Sequence, residues 1–526
     1  MPKTICKALE WHALQTPHKL AVLAAGAGDE AGLTYAQLWN RVCRAANALR
    51  SLGVGPGDRI ALLMINSVQY VEAYHTIAAL GASAVPLNFR YVAAEIEYVV
   101  NHAEASVLIF DAAFEGVVDE LGGRLKTVKG NLVVTDASLP GKLSYEALLQ
   151  TASAKAPDED ADVEGCFFQG YTAGTTGFPK GCVNLHGHFV DFFKRCAMIY
   201  DIGSSSIEII GAPLFHEAPT LFMMTQVFRG GTVVVTSDPA PANMLSSIER
   251  HRVTWGFMVP TMWDGIVSSG LAAEYDLSSM KYLISAGAPL MTHTKEGLLD
   301  IFPDADLNEF YGATEVGIVT NLAGCDQRRK VRSVGRPIPG FHLKLVDDDG
   351  REVIHGEIGE IWIRGPILIR EYYKNPEATA SARRGEWFTL SDMGRFDDEG
   401  YLYIVDRKKD MIITGGENVY PAEIEAVLSQ HPAVQMCAVV GIPDRKWGEI
   451  IYAAVVPKPG AIVSPEDLDG YCSRVLARFK IPKRIDLVAS LPMSSFGKIL
   501  RREVRKPFWE AQQLNDGGSL VVGHAY

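Results

Sequence analysis

Up to about residue 400 the chain repeats one alternation. A short apolar run rich in β-formers is followed by a stretch with helical periodicity. Arg59–Ile65, Ser106–Phe110, Thr232–Thr236, Val253–Val259 and Tyr282–Ser285 are such runs. A strand covered on both faces reads as continuous apolar sequence, and helices between strands let successive strands run parallel. The expected fold is therefore α/β with largely parallel sheets flanked by helices. In such sheets ligands sit in the loops beyond the carboxyl ends of the strands.

Near Leu343–Trp387 the pattern changes. Lys344-Leu345-Val346-Asp347-Asp348-Asp349-Gly350 reads as a strand and turn, and Gly359-Glu360-Ile361-Trp362-Ile363-Arg364-Gly365 as another. A small β-rich subdomain is expected here. A charged stretch, Asp406-Arg407-Lys408-Lys409-Asp410, then meets Gly415-Gly416, and charge beside glycine is a linker signal. The remainder is long enough for a small α/β domain. With 526 residues, more than one core is required in any case.

The formal charge of −12 argues against nucleic-acid binding by the surface as a whole, so any anion site must be built locally. The start, Met1-Pro2-Lys3-Thr4-Ile5-Cys6, has no apolar signal region, and no window resembles a membrane span. The eight cysteines form no CxxC pair, which indicates neither a zinc site nor a disulfide framework. The expectation is a cytoplasmic protein without an integral membrane segment.

The strongest chemical signal is Tyr171-Thr172-Ala173-Gly174-Thr175-Thr176-Gly177-Phe178-Pro179-Lys180-Gly181. Glycines let a loop bring backbone N–H groups close to an anion. Thr172, Thr175 and Thr176 add hydroxyl donors and Lys180 adds positive charge, a set that suits a triphosphate. Pro179 precedes the lysine, so this is not a Walker A loop. Taken alone, a Gly/Thr loop is usually an ordinary turn.

This string resembles the phosphate-loop signature of the adenylate-forming superfamily, which includes acyl-CoA synthetases, adenylation domains of peptide synthetases and luciferases. Ala173 stands where that family often has Ser. Further motifs recur in order over essentially the whole chain. The resemblance implies a large N-terminal AMP-binding domain, 1–406, a hinge, 407–410, and a small mobile C-terminal α/β domain, 411–526. In Asn308-Glu309-Phe310-Tyr311-Gly312-Ala313-Thr314-Glu315, it implies that Asn308 and Tyr311 lie at the adenine, Gly312 elsewhere in the nucleotide site and Thr314 near the α-phosphate. Glu315 is implied to bind Mg²⁺, which prefers hard carboxylate oxygens. Ser285-Ala286-Gly287-Ala288-Pro289 resembles the loop beside the adenine, with Gly287 and Ala288 against the base. Asp392 resembles the aspartate that accepts the ribose hydroxyls, and Arg407 the arginine just before the hinge. Lys409 then falls at the pivot.

Lys498, in Ser495-Phe496-Gly497-Lys498, resembles the C-terminal catalytic lysine. A carboxylate is already ionised at neutral pH, so its attack on a crowded α-phosphorus needs positive charge rather than a base. Pro213-Leu214-Phe215-His216-Glu217 resembles the histidine motif that borders and gates the acyl tunnel. The implied acyl pocket includes Phe189, His216, Glu217, Met258, Gly312 and Gly317. Glu217 is free either to hydrogen-bond a substrate hydroxyl or amine or to point away. Gly415 and Gly416 are implied to line a pantetheine tunnel, and Trp447, Phe479 and Lys483 to hold CoA; a basic solvated loop with a core Phe479 is the alternative. His186-Gly187-His188 is read as a strand-to-helix junction rather than a metal pair.

The expected function is ATP-dependent activation of a small-molecule carboxylic acid to acyl-AMP, then transfer to coenzyme A. Lys498, Thr176, Lys180, His216 and Glu315 are the expected catalytic set, with ATP, Mg²⁺ and CoA as co-substrates and cofactor. Loading of a carrier-protein thiol and an inactive nucleotide-binding homologue are the alternatives. The acid is left open among medium-chain fatty, aromatic and functionalised small acids, and the chain is expected to be a monomer or homodimer.

Overall fold

The computed structural model describes residues 2–26, 32–128, 131–157, 161–172, 179–414, 417–444, 446–493 and 499–515. By the density of its internal contacts the chain divides into two units. The first comprises Met1–Leu343 with Ile363–Phe388, and the second Lys344–Trp362 with Thr389–Tyr526.

Among the described residues, the first unit is built on two large sheets. One runs in the order Leu143–Ser144, Leu132–Val134, Val107–Phe110, Arg59–Leu63, Ser83–Pro86, Cys166–Thr172, Lys180–Leu185. It is parallel throughout except for its last pair, an antiparallel hairpin that brackets the glycine-rich loop. The other sheet has Asp306–Ala313, Tyr282–Ser285, Trp255–Met258, Ile207–Ile210, Thr232–Val235 and Leu20–Ala24 as parallel neighbours. Antiparallel strands close it at both edges. All five apolar runs read from the sequence are thus interior parallel strands; Tyr282–Ser285 keeps its full length and the other four are shortened by one to three residues where the chain turns into a loop.

These strands are buried on both faces, which is why they carry no polar alternation. Met258 packs with Ile209, Trp263, Ile266 and Leu283 on one face of its sheet. Phe257, its neighbour, turns to the other face and meets Phe222 and Phe310 at ring-centroid distances of 5.3 and 5.9 Å. Helix caps are ordinary: Thr34 and Gln37 form a reciprocal capping box for Tyr35–Ser51.

The second unit holds the small domain expected at the C-terminus. Its sheet runs Glu417–Val419, Ile412–Thr414, Gly448–Pro457, Val434–Asp444, with Arg484–Leu487 parallel to Gly448–Pro457. Ile412, Val439, Ala453 and Val455 face helices Pro421–Leu428 and Pro465–Ser473. Val440, Tyr452 and Ala454 face Val504 and Phe508 of the last helix, Arg501–Asn515. The β-rich stretch forms a sheet in the order His342–Val346, Gly359–Arg364, Trp387–Phe396, Arg383–Arg384, with Leu402–Arg407 beside Trp387–Phe396. The boundary between the two units runs through these strands. Residues 407–410 are the end of strand Leu402–Arg407 and a single 3-10 turn, Lys408–Asp410.

Candidate active site

The hairpin around the glycine-rich loop sets the first part of the site. Thr172 and Lys180 pair across it, so the loop leaves and returns at one point. Loop residues Gly174, Thr175, Thr176 and Gly177 lie outside the described residues, as do Gly415, Gly416 and Lys498.

Beside this hairpin lies the turn after strand Asp306–Ala313. Asn184 of the returning hairpin strand donates to the Thr314 carbonyl at 3.0 Å. The Thr172 hydroxyl donates to Glu315 Oε1 at 3.3 Å. Tyr372 Oη donates to the same oxygen at 3.1 Å, and Lys180 Nζ lies 5.0 Å from the centre of the Tyr372 ring. The sequence-predicted phosphate and metal residues Thr172, Lys180, Thr314 and Glu315 are therefore brought together. Tyr372 was not singled out from the sequence. Its signal was two adjacent tyrosines in Arg370-Glu371-Tyr372-Tyr373-Lys374-Asn375-Pro376, just after a strand.

Burial and the nearby Glu315 charge push the Tyr372 phenol well above its ordinary range, so it remains a donor. The same two causes raise the Cys182 thiol, which removes it as a nucleophile. Glu217 heads helix Glu217–Phe228 and is buried. Burial first, then the Glu315 charge, push its carboxyl well up, while the Thr314 hydroxyl hydrogen-bonded to it pulls the other way. Glu217 therefore lies close enough to Glu315 to feel its charge, and its own carboxyl is biased toward the protonated form.

The adenine candidates also converge. Ile284 and Ser285 pair in parallel register with Asn308 and Glu309, so the two motifs lie side by side on adjacent strands. Gly287 and Ala288 are exposed in the following loop. The Asn308 carbonyl oxygen accepts from Asn321 at 2.8 Å, which fixes the orientation of its amide. Buried Lys295 bonds Glu309 at 2.5 Å and ties helix Thr292–Ile301 to this strand.

Just after a register shift, Gly312 pairs with Ile318 and Ala313 with Gly317. A Cβ on Gly312 would come within 1.9 Å of the Gly317 carbonyl oxygen. Gly317 has φ +64° and lies against Ile367 and Phe192. Phe192 is in turn 6.4 Å from the ring of Phe222, which lies 5.9 Å from that of Phe310. His216 caps the helix that begins at Glu217. Phe189 is packed among Phe167, Phe168 and Phe193. Met258 lies in the core cluster on the opposite face from Phe257.

His186 and His188 open helix His186–Ile199 directly after strand Lys180–Leu185, the junction expected from the sequence. Burial lowers both rings to about 4.

In the second unit, Asp392 and Arg407 are cross-strand partners, with Arg407 Nε 3.4 Å from Asp392 Oδ1. Ser391, at φ +60°, turns the strand so that Asp392 is buried next to it. Lys408 reaches Asp348 at 2.9 Å and Glu360 at 3.3 Å. Trp447 and Phe479 are half-exposed, Lys483 is exposed, and Phe479 is not a core residue.

The AMP-binding enzyme profile matches residues 9–373, and the AMP-binding enzyme C-terminal domain profile matches residues 423–498. The chain belongs to the AMP-binding enzyme family. A feruloyl-CoA synthase of an Amycolatopsis species is 36% identical over 500 residues, covering 94% of this chain and 97% of that one. A long-chain-fatty-acid–CoA ligase of Mycobacterium tuberculosis is 36% identical over 479 residues, covering 90% and 93%. The crystal structure of the anthranilate CoA ligase AuaEII with anthranoyl-AMP superposes with a TM-score of 0.89 at 28% identity, covering 97% and 99%. This AMP-binding enzyme is accordingly an AMP-forming acid–thiol ligase. It converts a carboxylic acid and ATP to acyl-AMP and pyrophosphate, then transfers the acyl group to CoA. No described helix is long and apolar enough to cross a membrane.

Proposed function

We propose that this ligase activates an aromatic carboxylic acid with Mg²⁺ and ATP and delivers it to CoA. The observation that carries the reading is the convergence of Thr172, Lys180 and Glu315 around Tyr372, which presents one cation and one carboxylate beside the glycine-rich loop. The donor set fits magnesium arriving with a triphosphate, because Mg²⁺ is usually held by one or two carboxylates plus substrate phosphates. Among the described residues, no group of three or more His, Cys, Asp or Glu could hold a metal unaided. Glu315 would hold the ion, whose charge shields the phosphate oxygens from the incoming carboxylate.

In the first step a carboxylate oxygen attacks the α-phosphorus and pyrophosphate leaves. Lys180 holds the phosphates, and Lys498 supplies positive charge at the new bond. In the second step the CoA sulfur attacks the acyl carbonyl carbon and AMP leaves. Residues 407–410 serve as the hinge between the two steps, with Lys409 at the pivot. Asp392 and Arg407 hold the ribose, while Asn308, Tyr311, Gly287 and Ala288 hold the adenine.

The aromatic class is supported by the cluster of aromatic rings, Phe192, Phe222 and Phe310, that begins against Gly317. It is supported also by the feruloyl and anthranilate ligases among the relatives. Pyrophosphate release from a panel of benzoic, cinnamic, arylacetic and straight-chain fatty acids, with and without CoA, tests the reading. The expected result is the highest kcat/KM with an aryl acid and a CoA thioester as product. A preference for long straight-chain acids overturns the substrate class, and adenylate formation without transfer to CoA overturns the acceptor.

A further inference from the structure

Lys180 and the buried Glu315, a cation and a carboxylate, both meet the side chain of Tyr372. A direct ion pair between them would neutralise both groups before any nucleotide arrives, and it would be strong in a low-dielectric setting. The side chain of Tyr372 stands at both. Its hydroxyl occupies Glu315 Oε1 (3.1 Å) and its ring face lies under Lys180 Nζ (5.0 Å to the centroid). The ring attracts the ammonium through its π face without quenching the charge. The hydroxyl, a donor at physiological pH, orients the carboxylate and leaves its second oxygen to another partner.

The tyrosine is itself held rigidly. Its backbone runs beside the returning hairpin strand: Arg370 N donates to Val183 O, Val183 N to Glu371 O, and Tyr373 N to Gly181 O, at 2.7–3.0 Å. Tyr372 N donates to Thr379 Oγ1 at 3.0 Å, and the residue is buried. The side chain that separates the two charges therefore moves with the strand that carries Lys180.

We infer that Tyr372 is a positioning residue that holds Lys180 and Glu315 apart, so that each meets the triphosphate and its metal ion separately. The inference rests on the roles proposed above for Lys180 and Glu315. Its test separates the ring from the hydroxyl. Calorimetric titration of ATP, without acid substrate, is run with and without Mg²⁺ on the parent, Tyr372→Phe, Tyr372→Leu, Glu315→Gln and Lys180→Met.

Tyr372→Phe keeps the ring and loses the hydroxyl. It should bind Mg²⁺-free ATP as the parent does but lose about fivefold or more of the affinity gain that Mg²⁺ provides. Tyr372→Leu loses the ring too, so Mg²⁺-free ATP should also bind about fivefold or more weakly. Unfolding temperatures measured on the same samples separate these shifts from loss of fold, and Tyr372→Phe remains decisive where Tyr372→Leu does not fold. If Tyr372→Phe keeps the full Mg²⁺ gain while Glu315→Gln loses it, the positioning role is overturned and the site reading stands. If Glu315→Gln and Lys180→Met both bind as the parent does, the site reading fails and the positioning role fails with it.

Discussion

Arg501 Nη1 donates to Asp406 Oδ1 at 2.7 Å, while Nε and Nη2 fork onto the two oxygens of Glu425 at 3.0 and 2.5 Å. Asp410 Oδ2 lies 3.6 Å from the same guanidinium. Asp406 also accepts from Ala422 N, at the first turn of helix Pro421–Leu428. One arginine thus joins residues on both sides of Lys409 to the start of a helix.

Removing Arg501 leaves several carboxylates around an empty place, of which Asp406 is buried. Arg501→Met should destabilise the second unit by about 3–5 kcal/mol, because breaking a buried pair strands its partners. Arg501→Lys keeps the charge without the fork and should recover only part of this. Urea unfolding followed by limited proteolysis of the C-terminal domain checks it. A Met variant as stable as the parent would show the network to be energetically idle.

Gly312→Ala places a methyl 1.9 Å from the Gly317 carbonyl oxygen, so backbone must move. Overpacking of this kind costs about 1–3 kcal/mol. The same movement shifts Thr314 and Glu315, a few residues on, so adenylation should fall far more than stability. Pyrophosphate release beside thermal unfolding measures both. Parent-like adenylation would remove Gly312 from the site.

Glu208 sets a pH dependence. Its Oε2 and the Nε1 of Trp255, on paired residues of adjacent strands, are buried with no hydrogen-bond partner among the described residues. Burial pushes the Glu208 carboxyl well above its ordinary value. Below pH about 4.3 it is protonated in both the folded and unfolded states. Above that, the unfolded chain releases the proton while the folded one retains it, so folding loses stability as pH rises. Glu208→Gln removes this loss. Its advantage over the parent should widen from pH 5 to pH 8, reaching about 1–3 kcal/mol in urea unfolding. A gap that stays flat or narrows with pH contradicts the assignment.

The sequence made the parallel strands legible because a strand buried on both faces has no polar alternation to confuse it, as in Tyr282–Ser285. It also marked Asp392 and Arg407 separately, through motif resemblance. It did not show that they are cross-strand partners, because register across a sheet is not written in local spacing. Tyr372 went unread for the same reason: its partner Glu315 is 57 residues away. Arg501 stands in the basic stretch after Lys498, where a solvated charge is the usual expectation. Its acidic partners lie 76 to 95 residues earlier, so only the fold brings them to it.

The end of the C-terminal domain proposed to hold CoA carries two exposed rings. Strand Arg484–Leu487 runs parallel to Gly448–Pro457, with Arg484 opposite Tyr452. Trp447 and Phe479 each precede their member of that pair by five residues, which places both rings at the same end of the sheet. They are 46% and 42% exposed, far more than a core ring would be. Lys446 Nζ lies 4.6 Å from the Trp447 ring centre and Lys480 Nζ 5.6 Å from that of Phe479. Lys480 is also paired with Glu423 at 2.7 Å, so its position is fixed. Two exposed aromatic faces with ammonium groups beside them suit a flat base carrying phosphate. Trp447→Ala and Phe479→Ala should each raise the KM for CoA by about tenfold, the loss of one stacking contact of roughly 1–3 kcal/mol. Lys483→Ala should raise it less and make it less sensitive to salt. Pyrophosphate release from acid and ATP without CoA should stay at the parent rate in all three, because that step does not need the thiol. If CoA saturates the Trp447 and Phe479 variants as it does the parent, the cofactor's base is bound elsewhere and these rings serve another contact.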